Sequence, residues 1–98
     1  MPTPVDMGMI EQSVEKLHGL FDRCDVEIES VKIRKKMEEA SFNLGDVRPL
    51  ADCIFSILLA ARSRGHGPPA VFAELEKVSR SNLARKWKKM EDGTYQAT

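Results

Sequence analysis

One segment constrains the fold more than any other. From Pro49 to Ala61 the chain reads Pro-Leu-Ala-Asp-Cys-Ile-Phe-Ser-Ile-Leu-Leu-Ala-Ala. On a helical projection Leu50, Ile54, Leu58 and Ala61 form the main stripe, and Phe55, Ile57 and Leu59 make the remaining sides apolar. A helix that is apolar all round has to be covered all round. Turn signals bound it: Asn43-Leu44-Gly45-Asp46 before, Gly65-His66-Gly67-Pro68-Pro69 after. The expected helix runs from Val47 to about Arg64. Asp46 is its N-cap, Pro49 is harmless in the first turn, and Gly65 sits just past its end. Ninety-eight residues amount to one domain, residues 1–98. So short a chain cannot cover this helix on every side, which points to a second copy.

Three further stretches have helical periodicity. From Val5 to Cys24, Ile10, Val14, Leu17 and Phe21 make one stripe, widened by Met9 and Leu20, with Asp6 as N-cap. From Asp25 to Phe42, Val26/Ile28 and Val31/Ile33 alternate as a strand would. The run Lys32 to Ala40 is nevertheless rich in helix formers, and Val26, Ile33, Met37 and Ala40 share a helical stripe. From Pro68 to about Lys88, Val71, Phe72, Leu75 and Val78 give the apolar face. Residues 90–98 read as a polar tail with a Glu91-Asp92-Gly93 turn. The expected fold class is all-α, with four helices.

Composition removes several functions. Fifteen Lys+Arg balance fifteen Asp+Glu, with 31% charged and 42% apolar residues, so neither charge-driven disorder nor bulk-charge binding of nucleic acid fits. There is also no convincing helix-turn-helix pair, so nucleic acid is not an expected partner. No apolar run approaches the roughly 18 residues of a membrane span. The opening Met1-Pro2-Thr3-Pro4-Val5-Asp6 lacks the basic and apolar regions of a signal peptide. No membrane partner and a cytoplasmic address are therefore expected. Cys24 and Cys53 are too few for a disulfide scaffold. Nucleophile motifs, phosphate-cradling glycine loops and histidine-rich metal motifs are missing, and His18 and His66 stand alone with expected surface roles.

Two features carry chemistry. Glu38 and Glu39 end the second helix, and Asp52 opens the most apolar helix, where a carboxylate is costly unless paired or bound to a metal. Antiparallel helices joined by a short turn bring Glu39 toward Asp52. Clustered carboxylates suit Mg²⁺ held against a phosphate. The plainer alternative is an exposed helix end, with Asp52 paired to an arginine such as Arg48. The second feature is basic: from Lys77 to Lys89 there are six cations and no acid. Such a patch suits a phosphate group, or else is a solvated helix end at the negative pole of the dipole.

Together these segments resemble one family. Arg34-Lys35-Lys36-Met37-Glu38-Glu39-Ala40 stands where the MazG-like NTP pyrophosphohydrolases carry their EExxE helix. The segment Pro49-Leu50-Ala51-Asp52-Cys53-Ile54 is similar to their ExxD helix. Val71 to Leu75 and Arg80 to Trp87, with Asp92-Gly93 following, look like the fourth helix and tail of small phage- or integron-type dNTP diphosphohydrolases.

The resemblance implies a four-helix bundle completed as a homodimer or homotetramer. It implies a Mg²⁺-dependent enzyme, with Mn²⁺ as substitute, that converts a (d)NTP such as dATP or dGTP to the monophosphate and pyrophosphate. Glu39 and Asp52 are the implied catalytic residues and, with Glu38, the metal ligands. Lys36, Asn82, Arg85 and Lys86 would meet the substrate. Of the family's four ligand positions, however, Lys36 and Pro49 hold residues that cannot ligate. A weakened or inactive relative that binds a nucleotide or a partner protein is the alternative implied.

Overall fold

A computed structural model describes residues 4–98. The expectation about the N-terminus rests partly on Met1-Pro2-Thr3, which lie outside the described residues. Among the described residues there are four helices, α1 (Met7–Leu20), α2 (Val26–Phe42), α3 (Arg48–Ser63) and α4 (Pro68–Ala84), and a hairpin of β1 (Trp87–Lys89) and β2 (Tyr95–Ala97). None of these helices is long and apolar enough to cross a membrane.

Local chemistry sets the helix ends. The Asp6 side chain accepts from Met9 N–H at 3.0 Å, and that of Asp25 from Ile28 N–H at 3.1 Å, each satisfying an orphan first-turn donor. Arg23 fixes the Asp25 carboxylate with an ion pair of 2.9 Å. Gly65, at φ 88°, takes the left-handed conformation that ends α3. Asp46 does not occupy the cap position, which belongs to Val47. Its carboxylate instead accepts from Arg48 N–H two residues on, at 2.9 Å.

Two helices are shorter than their periodicity predicts. α1 stops at Leu20 rather than Cys24, because Phe21 turns extended and Cys24 is drawn into the core just ahead of the Asp25 cap. α4 stops at Ala84 rather than Lys88. Arg85 is extended, and the Trp87 indole N–H donates to the free Asn82 carbonyl at 3.0 Å. The expected polar tail is a β-hairpin, with Trp87 opposite Ala97 and Lys89 opposite Tyr95. Gly93, at φ 90°, supplies the turn conformation, and Asp92 accepts from both Thr94 N–H and Thr94 Oγ1.

The core lies between α1, α3 and α4. Val14, Cys24, Leu58 and Leu59 are buried together, with Ile10, Leu17, Phe55, Val71 and Phe72 packed against them. On another side α3 lies against α2 through small residues: Cys53, Ser56 and Ala60 are buried, and the Cys53 thiol points to the Ile33 carbonyl at 3.6 Å. As expected for so short a chain, α3 is not covered all round within it. Leu50, Ile54 and Ile57 are 43%, 52% and 47% exposed. The main stripe read from the sequence is therefore split: Leu58 faces the core, while Leu50 and Ile54 face outward.

Candidate functional site

α2 and α3 run antiparallel from the Asn43–Val47 turn, so the end of α2 meets the start of α3. This brings Glu39 and Asp52 together as the sequence predicts. What joins them is the ammonium of Lys36. Its Nζ lies 3.2 Å from Glu39 Oε2 and 3.4 Å from Asp52 Oδ2. Lys36 reaches Glu39 one turn along its own helix and Asp52 across the interface, so it staples the two helices. The hydrogen bond and charge of Glu39, and secondarily those of Asp52, hold the Lys36 ammonium above the ordinary lysine range. Asp52 thus pairs with Lys36, and not with Arg48 as the plainer sequence alternative had it.

The donor set fits an ammonium better than a divalent ion. Two carboxylates converge, but a cation already stands between them, and Pro49 at the neighbouring position offers no ligand. Glu38 is exposed beside Glu39, with its backbone carbonyl accepting from Ser41 Oγ.

Asn82, Arg85 and Lys86 are not brought to this site. α4 packs on α1 and α3 and makes no contact with α2, and the hairpin pairs only with itself. Arg85 and Lys86 belong to the link and the hairpin start rather than to a helix. The basic charge that the sequence assigns to a helix end is therefore spread over exposed β1 and its approach. That removes the helix-dipole explanation for these cations. The hairpin was signalled by Asp92-Gly93 between Trp87 and Tyr95, a pattern of turn residues flanked by strand formers.

Sequence reasoning missed a third feature. A cavity of about 350 Å³ lies between α2, the second half of α3 and the α3–α4 turn. Its walls include Val26, Ile33, Ile57, Glu29, Arg64 and His66. Glu29 is buried and its Oε1 has no hydrogen-bond partner. The only available signal was a carboxylate four residues before Ile33 on the expected stripe, which by itself reads as an ordinary acidic first turn. His66, expected on the surface, is exposed and also lines this cavity.

Comparison with known protein families, curated proteins and solved structures finds no significant match to this chain.

Proposed function

We propose that this chain is a non-hydrolytic, nucleotide-binding relative of the MazG-like pyrophosphohydrolases that works as a homo-oligomer. The observation that carries this reading is the Lys36 ammonium seated between Glu39 and Asp52. Charge that a Mg²⁺ ion would supply in a hydrolase is supplied here by a side chain. An ammonium can hold the two carboxylates together, but it neither polarises a phosphate as a divalent Lewis acid does nor lowers the pKa of a bound water. A cavity of small-molecule size on the same helix pair supports retained ligand binding. The uncovered Leu50, Ile54 and Ile57, spaced four and three apart, support self-association along α3.

A second reading is favoured by the convergence of Glu39 and Asp52. If Lys36 swings onto a substrate phosphate, these two residues with Glu38 would hold Mg²⁺ or Mn²⁺, which would supply the Lewis acid for (d)NTP pyrophosphohydrolysis. In that arrangement the α4 end of a second copy would have to deliver Asn82, Arg85 and Lys86. Pyrophosphate release from a panel of dNTPs with Mg²⁺ or Mn²⁺ separates the two. The non-hydrolytic reading expects the wild-type rate to equal that of Asp52→Asn. Release that Asp52→Asn abolishes would establish the hydrolase.

A further inference from the structure

The hairpin after α4 gathers positive charge that nothing in the chain neutralises. On α4 itself, Lys77 and Arg80 are paired with Glu74 and Glu76. Arg85, Lys86, Lys88 and Lys89 follow on the approach and on β1, all exposed, and none forms an ion pair among the described residues. The acids of this segment lie past them at the turn: Glu91, and Asp92, whose carboxylate is engaged by Thr94. A formal charge of zero for the whole chain thus conceals a local excess of cations.

The strand register adds two aromatic rings to that charge. Trp87 stands opposite Ala97 and Lys89 opposite Tyr95. Opposed residues, and residues two apart on one strand, share a face, so Trp87, Lys89, Tyr95 and Ala97 stand together. Trp87 and Tyr95 are diagonal neighbours, about 7–8 Å apart. They are 44% and 63% exposed, and no helix packs on the hairpin among the described residues. The indole bond to the Asn82 carbonyl, at 3.0 Å, fixes the angle of the Trp87 ring.

We propose that this face binds single-stranded nucleic acid, DNA or RNA, without sequence preference. Charge complementarity selects the occupant. Four free cations call for a polyanion, and two open rings call for flat π-faces that recur along it. Each nucleotide supplies one phosphate and one such face. One base stacks on Trp87 and the next on Tyr95, with Lys89 between them and Arg85 and Lys86 on the backbone. Glu91 repels phosphate at the turn, so the strand runs from Tyr95 toward Arg85. A duplex hides its base faces. An anionic lipid surface shares the charge but needs aliphatic side chains beside the rings, and this face offers only Ala97. The proposal goes beyond the nucleotide-binding reading and uses neither the α2–α3 cavity nor the Lys36 site.

Trp87 is the only tryptophan, so its fluorescence reports this face directly. The full chain is titrated at low salt with oligo(dT) and oligo(U) of about a dozen nucleotides. Both are expected to quench Trp87, with dissociation constants on the order of 1–100 μM that weaken as salt rises. Tyr95→Leu should weaken both at least about fivefold, while Tyr95→Phe, which keeps the ring, should match wild type. Lys89→Gln should lower the slope of log affinity against log salt by about 0.7.

Absence of saturable quenching by either oligonucleotide overturns the proposal. Duplex DNA bound as tightly as oligo(dT) also overturns it, as does a Tyr95→Leu variant that binds like wild type. Quenching by dTTP at the same concentrations as oligo(dT) would overturn it and assign the face to mononucleotides. Binding to phosphatidylserine vesicles with none to oligonucleotides would overturn it in favour of a membrane surface.

Discussion

The two sides of α3 are built from different residues. Toward α1 and α4 it presents Phe55, Leu58 and Leu59 to Val14, Ile10, Leu17, Val71 and Phe72, an apolar cluster with the buried Cys24 at its edge. Toward α2 it presents Asp52, Cys53, Ser56 and Ala60, small or polar side chains that let the helices approach closely but leave gaps and unmet hydrogen bonds. Both side-chain atoms found buried without a partner, Glu29 Oε1 and Ser56 Oγ, belong to α2 and α3. The Cys53–Ile33 contact fixes the stagger and places Glu29 level with Ser56, one turn further along each helix. The closed side holds the fold. The open side keeps a cavity, an ion-paired staple and an uncovered apolar stripe, and these are the features on which the proposed binding and self-association rest.

The sharpest way to break this contrast is to damage the closed side. Leu59 is among the largest fully buried side chains. Leu59→Ala should lose about 2–5 kcal/mol in urea unfolding, by lost burial plus the cavity left behind. A cost under about 1 kcal/mol would mean that this half is not the core.

The next effect is on assembly. Ile54→Asp puts a charge on the outward stripe without entering the core. Wild type is expected to run above its monomer mass of 11.0 kDa in light scattering, and the variant at 11.0 kDa. A monomeric wild type would contradict self-association along α3.

The Lys36 staple comes third. Lys36→Gln removes the cation and leaves Glu39 and Asp52 facing each other. Mg²⁺ affinity, read by calorimetry, should then rise well above that of wild type. An unchanged affinity would show that the two carboxylates do not form a latent cation site.

On the α2 side, Ser56→Ala should be nearly neutral or slightly stabilising in urea, because it removes a buried hydroxyl that has no partner. A marked loss would reveal a hydrogen bond that Ser56 makes in solution.

The smallest effect lies at the rim of the closed side, where Arg62 grips Glu15 through bonds of 2.6 and 2.9 Å. The Arg62 hydrogen bond and charge, with a lesser contribution from His18, outweigh desolvation and hold the Glu15 carboxyl below the ordinary carboxylate range. A depressed folded pKa contributes stability that is complete above the unfolded value and lost as pH falls through the folded one. Arg62→Gln should therefore flatten the acid limb of the stability curve and leave neutral pH little changed. An identical acid limb would place the Glu15–Arg62 tie outside the folding equilibrium.

Much of the fold was legible because it rests on local rules. Asp6 as a cap, Gly65 as a helix stop, and the four apolar periodicities each depend on residues a turn or two apart. The hairpin was not seen because the run from Arg80 to Lys89 has good helix propensity. Its helix ends where the Trp87 indole reaches back to the Asn82 carbonyl, a tertiary event that propensity does not carry. Which face of α3 would remain uncovered was equally hidden, since a helix apolar all round gives no internal sign of where its neighbours sit.

At the candidate site, the meeting of Glu39 and Asp52 followed from the short turn between antiparallel helices. The position of Lys36 between them did not, because spacing does not say whether a long cation points to solvent or inward. Glu29 was invisible for the same reason. Its burial depends on the small residues of α3 that face it.

The most direct measurement is a calorimetric titration of the wild-type chain with dGTP, run with Mg²⁺ and again with a chelator. Binding of equal strength in both, with no pyrophosphate formed, is the expected result for a site whose cation is Lys36. Binding that requires Mg²⁺ and is followed by pyrophosphate release would contradict it and make Glu39 and Asp52 the ligands of a working metal.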